Sequence, residues 1–390
     1  MNGPLVYLIA GEASGDALGA AMMGALRAQL GDGVQFAGIG GPLMEAEGLR
    51  SLFPMDDLAV MGLAEVAPKL PQLLKRIAEA RADVLARQPA VLVTIDSPDF
   101  CFRVARKVRK ERRGMPIVHY VAPTVWAWRP GRARDVAKFL THLLCLYPFE
   151  PPYFEREGLA ATFVGHPIAL SEGAAPGADK RAAEFRARHG IAPETPVLVA
   201  LPGSRGGELD RHLPVFGETL VRLRDGGWNG TVVVPTLDRH QGRVRAAVAE
   251  WPGQGLVVTG SRDKWGAFAA ADAALAASGT VTLELAAAGV PSIVAYKVSP
   301  LSAAIARRMI KIPHVGLVNI LMNTQVMPEY LQEDCRADKL APALASLLND
   351  PDAAEAQRLR CREAMALLQG PPGGPANAAA GVVARYLGDR

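Results

Sequence analysis

Two short stretches of the 390-residue chain hold the side chains best suited to chemistry. In Ile95-Asp96-Ser97-Pro98-Asp99-Phe100 an apolar run ends on an acid. A carboxylate that closes a buried strand lies at the carboxyl edge of its sheet, where ligands bind in open α/β folds. It can take a proton from a hydroxyl nucleophile there, which contributes about 10²–10⁴ in rate. Asp96 ends the run and is the stronger candidate, although an Asx-turn acid has the same signature; Asp99 fits a helix cap. In Ser278-Gly279-Thr280-Val281-Thr282-Leu283-Glu284 a small polar turn opens a helix. The positive end of that helix favours an anion by ~0.3–1 kcal/mol, and Ser278, Gly279 and Thr280 add N–H and hydroxyl donors. Glu284, one turn in, has the reach to accept both hydroxyls of a ribose. A Ser/Thr cap with a first-turn acid has the same pattern. LPGSRGGEL (201–209) supplies a second anion loop, with Gly203 and Ser204 for close backbone approach and Arg205 as a fixed charge for a diphosphate.

Three further stretches follow apolar runs. GEASGDALG (11–19) places Glu12, Ser14, Gly15 and Asp16 at a strand-to-helix turn. Such a turn presents backbone N–H groups to an anion, or is simply capped by Ser14 or Asp16. It lacks the G-x-G-x-x-G pattern and a Walker lysine, which weakens dinucleotide and P-loop readings; no other strand is followed by G-x-G-x-x-G either, so an oxidoreductase fits worst. His119 leads into VWAWRPGRAR (125–134), where Trp126 and Trp128 offer flat apolar faces and Arg129 a fork for phosphate. His119 equally suits a satisfied core position. His166, in Gly165-His166-Pro167, ends the last strand before a linker, so hinge and cleft positions coincide there.

The elements that must position these residues are eleven β-type runs alternating with helical patterns: 5–10, 34–39, 90–96, 116–121, 142–147, 161–165, 196–203, 231–235, 255–260, 272–278 and 291–296. Alternation implies right-handed βαβ units and parallel sheets covered on both faces. Eleven strands exceed one ordinary sheet, and IALSEGAAPGADK (168–180) has linker composition. The expected fold class is therefore α/β, with two Rossmann-like domains, 1–168 and 180–345, facing a cleft, followed by C-terminal helices over 346–390. That tail, broken by GPPGGP (370–375), is expected to pack back on the first domain or across to a partner copy in a homodimer.

Composition sets the remaining bounds. At 49% hydrophobic and 21% charged residues the chain is globular, and a net charge of +4 is too small to imply nucleic acid. The four cysteines are far apart with no C-x-x-C, which suits a reducing compartment and argues against structural zinc. The opening apolar run reads as a strand rather than a leader peptide, and the longest apolar stretch is too interrupted for a membrane span. Two segments nonetheless suit a lipid surface. LAEVAPKLPQLLKRIAEA (63–80) places Leu63, Val66, Leu70, Leu73, Leu74 and Ile77 at helical spacing, in a helix expected to start near Pro71. FRVARKVRKERRG (102–114) carries seven Arg or Lys and one acid beside a stripe of Cys101, Val104, Ala105 and Val108. An apolar face touching acyl chains and a basic face drawn to anionic lipid compete with a core helix and a solvated face.

Read together, GEASGD (11–16), AVMG (59–62), IDSPDF (95–100), HYVAPTVWAW (119–128), VGHP (164–167), LPGSR with Glu208, SGTVTLE (278–284), and VAYK with Val318-Asn319 resemble the lipid-A-disaccharide synthases. The resemblance runs from about Leu5 to the C-terminal helices. It implies the two-Rossmann GT-B fold and an inverting, metal-independent transfer between UDP-2,3-diacylglucosamine and 2,3-diacylglucosamine 1-phosphate, with no cofactor. It also implies a cytoplasmic enzyme peripherally associated with the inner membrane of a Gram-negative bacterium. By matching motifs, Asp96 is the base, and Gly203, Ser204, Arg205, Ser278, Gly279, Thr280, Glu284 and Asn319 hold the UDP-sugar. Glu12, Ser14, Gly15, Asp16, His119, Trp126, Arg129 and His166 face the acceptor. MNTQVMPE (322–329) departs from the family pattern at Thr324-Gln325. Another UDP-sugar enzyme of the same fold, such as an epimerase or a transferase to a different lipid, fits the donor residues too. So does a non-catalytic nucleotide-sugar scaffold at the membrane, although Asp96 beside a full donor site speaks against it.

Overall fold

The computed structural model describes residues 3–58, 63–300, 303 and 312–388. The chain divides into two compact units, Met1–Pro167 with Leu368–Arg390, and Ile168–Leu367.

In the first unit six strands, β1 (Leu5–Ala10), β2 (Gln35–Ile39), β3 (Val91–Ile95), β4 (Ile117–Tyr120), β5 (His142–Cys145) and β6 (Ala160–Phe163), form one sheet in the order β2-β1-β3-β4-β5-β6. All pairings are parallel. Runs such as VLVTI are buried along their whole length, as a strand covered by helices on both faces must be. The order reverses between β1 and β3, where Ala10 lies beside Ile95. The loops that follow these two strands therefore emerge side by side, at the point where such sheets bind ligands.

The second unit repeats the plan. Strands β7 (Val197–Leu201), β8 (Thr231–Pro235), β9 (Gly255–Val258), β10 (Ala273–Ala276), β11 (Ser292–Tyr296) and β12 (Glu329–Leu331) lie in the parallel order β12-β11-β10-β7-β8-β9. Along β7 the side chains alternate: Leu198 and Ala200 pack with Phe216, Val232 and Val234, while Val197, Val199 and Leu201 pack with Phe185, Trp265 and Phe268. Each large side chain so buried stabilises the sheet by ~1.5–3 kcal/mol. Here the reversal falls between β7 and β10, with Leu201 beside Ala276.

All eleven expected strands are present; β12 is the addition. Its three residues carry a charge and an aromatic ring, and its pairing with β11 (Ala295 beside Tyr330) comes from tertiary context rather than local pattern. Two expectations need correction. The tail does not separate at residue 346: the helices Ala337–Asn349 and Pro351–Leu367 lie in the second unit, and only the chain from Leu368 joins the first. There Ala379, Ala380, Val382 and Val383 are buried in the helix Gly374–Ala384, which packs on the helix Ala13–Leu30 of the same chain. Gln29 Nε2 donates to Asn377 O across that contact at 3.1 Å. The second correction concerns the helix Leu63–Arg87, which begins ahead of Pro71. Ile77, Ala80 and Val84 anchor it in the first core, and such packing outweighs the cost of internal prolines.

Placing a charge in the tail contact tests this assignment. Ala380→Asp buries an unpaired carboxylate at a position of 0% exposure, and is expected to destabilise the first unit by at least ~3 kcal/mol. Thermal denaturation followed by circular dichroism should show a transition shifted to lower temperature.

Candidate functional site

The carboxyl edge of the second sheet opens into a pocket of about 820 Å³, lined by the loops that follow β7, β8, β9 and β10 together with Val315 and Leu317. Gly203, Ser204, Arg205, Ser278, Gly279, Thr280 and Glu284 all line it. The loop after β7 is set by Glu208, whose side chain is almost fully buried. Its Oε2 accepts the backbone N–H of Ser204 at 3.0 Å and of Arg205 at 3.2 Å. Its Oε1 accepts from Arg205 Nη1 at 3.1 Å and from the Tyr296 hydroxyl at 3.2 Å. Gly203 sits at φ +114°, and a Cβ there would lie 2.5 Å from Glu208 Oε2, so only glycine lets the carboxylate reach the loop. The Ser204 and Arg205 N–H groups are thus taken by Glu208 and are not presented to an anion, contrary to the expectation from sequence; the Arg205 side chain, 65% exposed, remains the loop's fixed charge.

Ser278 Oγ donates to Val315 O at 3.0 Å, tying the loop after β10 to the chain ahead of the helix Leu317–Met322. Glu284 projects from the helix Val281–Ala287, and its Oε1 accepts from Lys264 Nζ at 2.8 Å. Lys264 lies in the helix Ser261–Ala270 and has no cue in the sequence, because its partner is 20 residues on. Asn319 is a correction. It is fully buried and does not line the pocket. Its Nδ2 donates to Met327 O and Glu329 Oε1, both at 2.7 Å, and its Oδ1 accepts from the N–H groups of Val326 and Met327, both at 2.8 Å. Glu329 in turn accepts from the Val315 and Gly316 N–H groups. Asn319 therefore braces the loop that Ser278 leans on instead of touching a ligand itself, and the same bonds hold the divergent 322–329 segment.

In the first unit the turn after β3 is backbone-strained. Asp96 and Ser97 have φ of +50° and +41°, a left-handed pair that costs ~1–3 kcal/mol per residue and is held by its surroundings. The Asp96 N–H donates to Tyr120 O at 2.9 Å, and Ser14 Oγ approaches Asp96 Oδ2 at 3.4 Å. A Cβ on Gly11 would lie 2.5 Å from Ser97 Oγ, so the glycine of the loop after β1 makes room for this turn. The loop after β1 is only partly free. Gly15 is buried, and Asp16, 2% exposed, accepts from the N–H groups of Gly41, Leu43 and Met44 at 2.8–3.0 Å. Asp16 thus caps the helix Pro42–Ala46. Glu12 is half-buried and Ser14 exposed, and these two keep surface on the loop.

Of the aromatic block, Trp126 Nε1 donates to Glu150 Oε1 at 3.2 Å, and its ring meets Tyr147 and Phe149 edge-on. Glu150, absent from the sequence reading, is 1% exposed and also accepts from the Leu146 and Tyr147 N–H groups, both at 3.1 Å. The His166 ring lies 5.4 Å from the Tyr147 ring, and the His166 backbone N–H donates to Leu368 O at 2.8 Å. Burial pushes its imidazole down to about 4. His119 is a core residue and not an acceptor contact: it is 0% exposed, bonded to Thr94 Oγ1 at 2.8 Å, and burial, then the nearby Arg132 charge, push it down to about 3. Arg129 is exposed and stacks its guanidinium 4.3 Å over Trp128.

The apolar stripe on the helix Leu63–Arg87 splits. Leu73 and Ile77 pack against the first core, while Leu70 and Leu74 are 43% and 50% exposed, one turn apart. The side chains of Leu63 and Val66, and the AVMG segment (59–62), lie outside the described residues. On the helix Pro98–Glu111, Arg103, Arg106, Lys107 and Lys110 are exposed, whereas Arg109 donates to Phe139 O, Met115 O and Thr141 Oγ1. Among the described residues no helix is long and apolar enough to cross a membrane, and no three His, Cys, Asp or Glu side chains converge.

The Glu150 environment gives a pH test. Burial pushes its carboxyl up to about 7, overriding three hydrogen bonds that favour the charged form. A carboxyl raised in the folded state stabilises most below the ordinary carboxylate range, and that contribution is lost as pH rises through about 7. Thermal denaturation should therefore find Glu150→Gln, which cannot ionise, close to wild type at pH 5 and increasingly more stable than it as pH rises to 8.

A family model described as lipid-A-disaccharide synthetase matches residues 6–371. The lipid-A-disaccharide synthase of Rhodospirillum centenum is 54% identical over 353 residues, covering 90% of this chain and 87% of that one. Among solved structures, a glycosyltransferase from Rickettsia africae has a TM-score of 0.62 at 10% identity, over 99% of this chain and 98% of the other. A UDP-GlcNAc 2-epimerase from Neisseria meningitidis bound to UDP-GlcNAc also has a TM-score of 0.62 at 10% identity, with 99% of each chain covered. The structural likeness shows the two-Rossmann GT-B fold, which serves both transfer and epimerisation; it is the sequence match that separates them. The chain belongs to the lipid-A-disaccharide synthase family of glycosyltransferases.

Proposed function

We propose that the chain transfers the diacylglucosaminyl group of UDP-2,3-diacylglucosamine to the 6-hydroxyl of 2,3-diacylglucosamine 1-phosphate, with inversion and release of UDP. The observation that supports this most is the pair of loop sets at the two sheet reversals, one with an acid and one with a pocket for a nucleotide. The pocket at the β7–β10 reversal takes the UDP. Glu284 accepts the ribose hydroxyls, and the side chains of Arg205 and Lys264 supply positive charge for the diphosphate. Asp96 takes the proton of the acceptor hydroxyl as the oxygen attacks the anomeric carbon. The C–O bond to the diphosphate breaks as the new C–O bond forms, and UDP leaves with the negative charge. Glu12, Ser14, Trp126, Arg129 and His166 form the acceptor side.

The lipid chains of both substrates call for a membrane surface. The exposed Leu70 and Leu74 and the basic face of the helix Pro98–Glu111 support peripheral binding to an anionic bilayer, with ~1 kcal/mol of attraction per basic residue near the surface. Changing both leucines to serine should reduce flotation with anionic vesicles while leaving UDP binding unchanged.

Asp96→Asn tests the chemistry. Turnover should fall by about 10²-fold or more with UDP affinity unchanged. Turnover close to wild type would remove Asp96 as the base. Gly11→Ala should also lower turnover, by about tenfold, because the displaced Ser97 shifts Asp96.

A further inference from the structure

Lys264 has no role in the residues considered so far beyond its charge, yet its placement is specific. The helix Ser261–Ala270 follows β9 and the helix Val281–Ala287 follows β10, and the two bring Lys264 Nζ to 2.8 Å from Glu284 Oε1 at the pocket wall. The ammonium also lies 5.0 Å from the centroid of the Trp265 ring, which is itself buried and packed edge-on against Phe268. Lys264 is therefore pinned from two sides. With side chains 31% and 24% exposed, the pair adds little to stability, so its geometry calls for another reason.

Charge supplies one. The pocket's ionisable lining is Arg205 and Lys264 against Glu208, Asp238 and Glu284, two cations against three acids. A dianionic diphosphate enters such a site only if the acid nearest the sugar is neutralised locally. Lys264 does that for Glu284, and by holding one carboxylate oxygen it fixes the direction of the other. We propose that Lys264 is a positioning residue for nucleoside diphosphate recognition, orienting Glu284 to accept the two ribose hydroxyls while cancelling its charge beside the diphosphate. This rests on the donor-pocket reading above.

The test is calorimetric titration of UDP and 2′,3′-dideoxy-UDP into wild type, Lys264→Met and Lys264→Arg. Wild type should prefer UDP by about tenfold or more, as expected for charge-assisted hydrogen bonds to the ribose. Lys264→Met should lose most of that preference, and Lys264→Arg should restore it. An unchanged preference in Lys264→Met, even with both ligands bound more weakly, would overturn the positioning role and leave only a general charge. Wild type that binds UDP and the dideoxy analogue equally, or neither, would instead overturn the donor-pocket reading, and the inference with it. Lys264→Gln serves if the Met variant does not fold, with the same two outcomes.

Discussion

The loops at the ligand-binding edge depend on buried or half-buried carboxylates that accept backbone N–H groups. Glu208 holds the Ser204-Arg205 loop, Asp16 the start of the helix Pro42–Ala46, Glu150 the Leu146-Tyr147 segment, and Glu329 the Val315-Gly316 segment. A hydrogen bond to a charged group is worth ~1.5–3 kcal/mol, and an N–H left unpaired in the same place costs a comparable amount. Loops held this way are ordered before a ligand arrives. The free energy of ligand binding is then not consumed in arranging them, which is what electrostatic preorganisation requires.

The parallel sheets explain why those loops gather where they do. In each unit the strand order reverses once, so the loops of the two central strands diverge and leave a crevice between them. At the first reversal this places the left-handed Asp96-Ser97 turn beside the loop that begins at Gly11. At the second it places the Glu208-braced loop beside Ser278 and, one turn further on, Glu284. The same sheet plan thus yields a strained acid in one unit and a polar pocket in the other, because the sequence after each strand differs.

Much of this was legible in the sequence. Runs of five to eight mostly apolar residues marked eleven strands, since a strand covered on both faces has few polar positions to disguise it. Small polar turns after those runs marked the pocket loops, because close backbone approach requires small residues. What the sequence hid were partnerships. Asp16 and Asn319 have the types of ligand-binding residues, yet their polar atoms are engaged with backbone 7 to 28 residues away. Lys264 and Glu150 look like ordinary surface charges until the fold brings Glu284 and Trp126 to them. The apolar stripe of the helix Leu63–Arg87 had the right period, but period alone does not say that Leu73 faces the core and Leu74 the solvent.

The central claim is that a metal-free pocket of side chains and a lone acid suffice for sugar transfer between two lipid-bearing glucosamines. It is tested most directly by mixing the purified protein with UDP-2,3-diacylglucosamine, 2,3-diacylglucosamine 1-phosphate and excess chelator, and following products by mass spectrometry. The account predicts a β-1,6-linked disaccharide 1-phosphate, with one UDP released per product and none released without the acceptor. An altered UDP-sugar or free UDP formed without acceptor, or no disaccharide while UDP still binds, would contradict it.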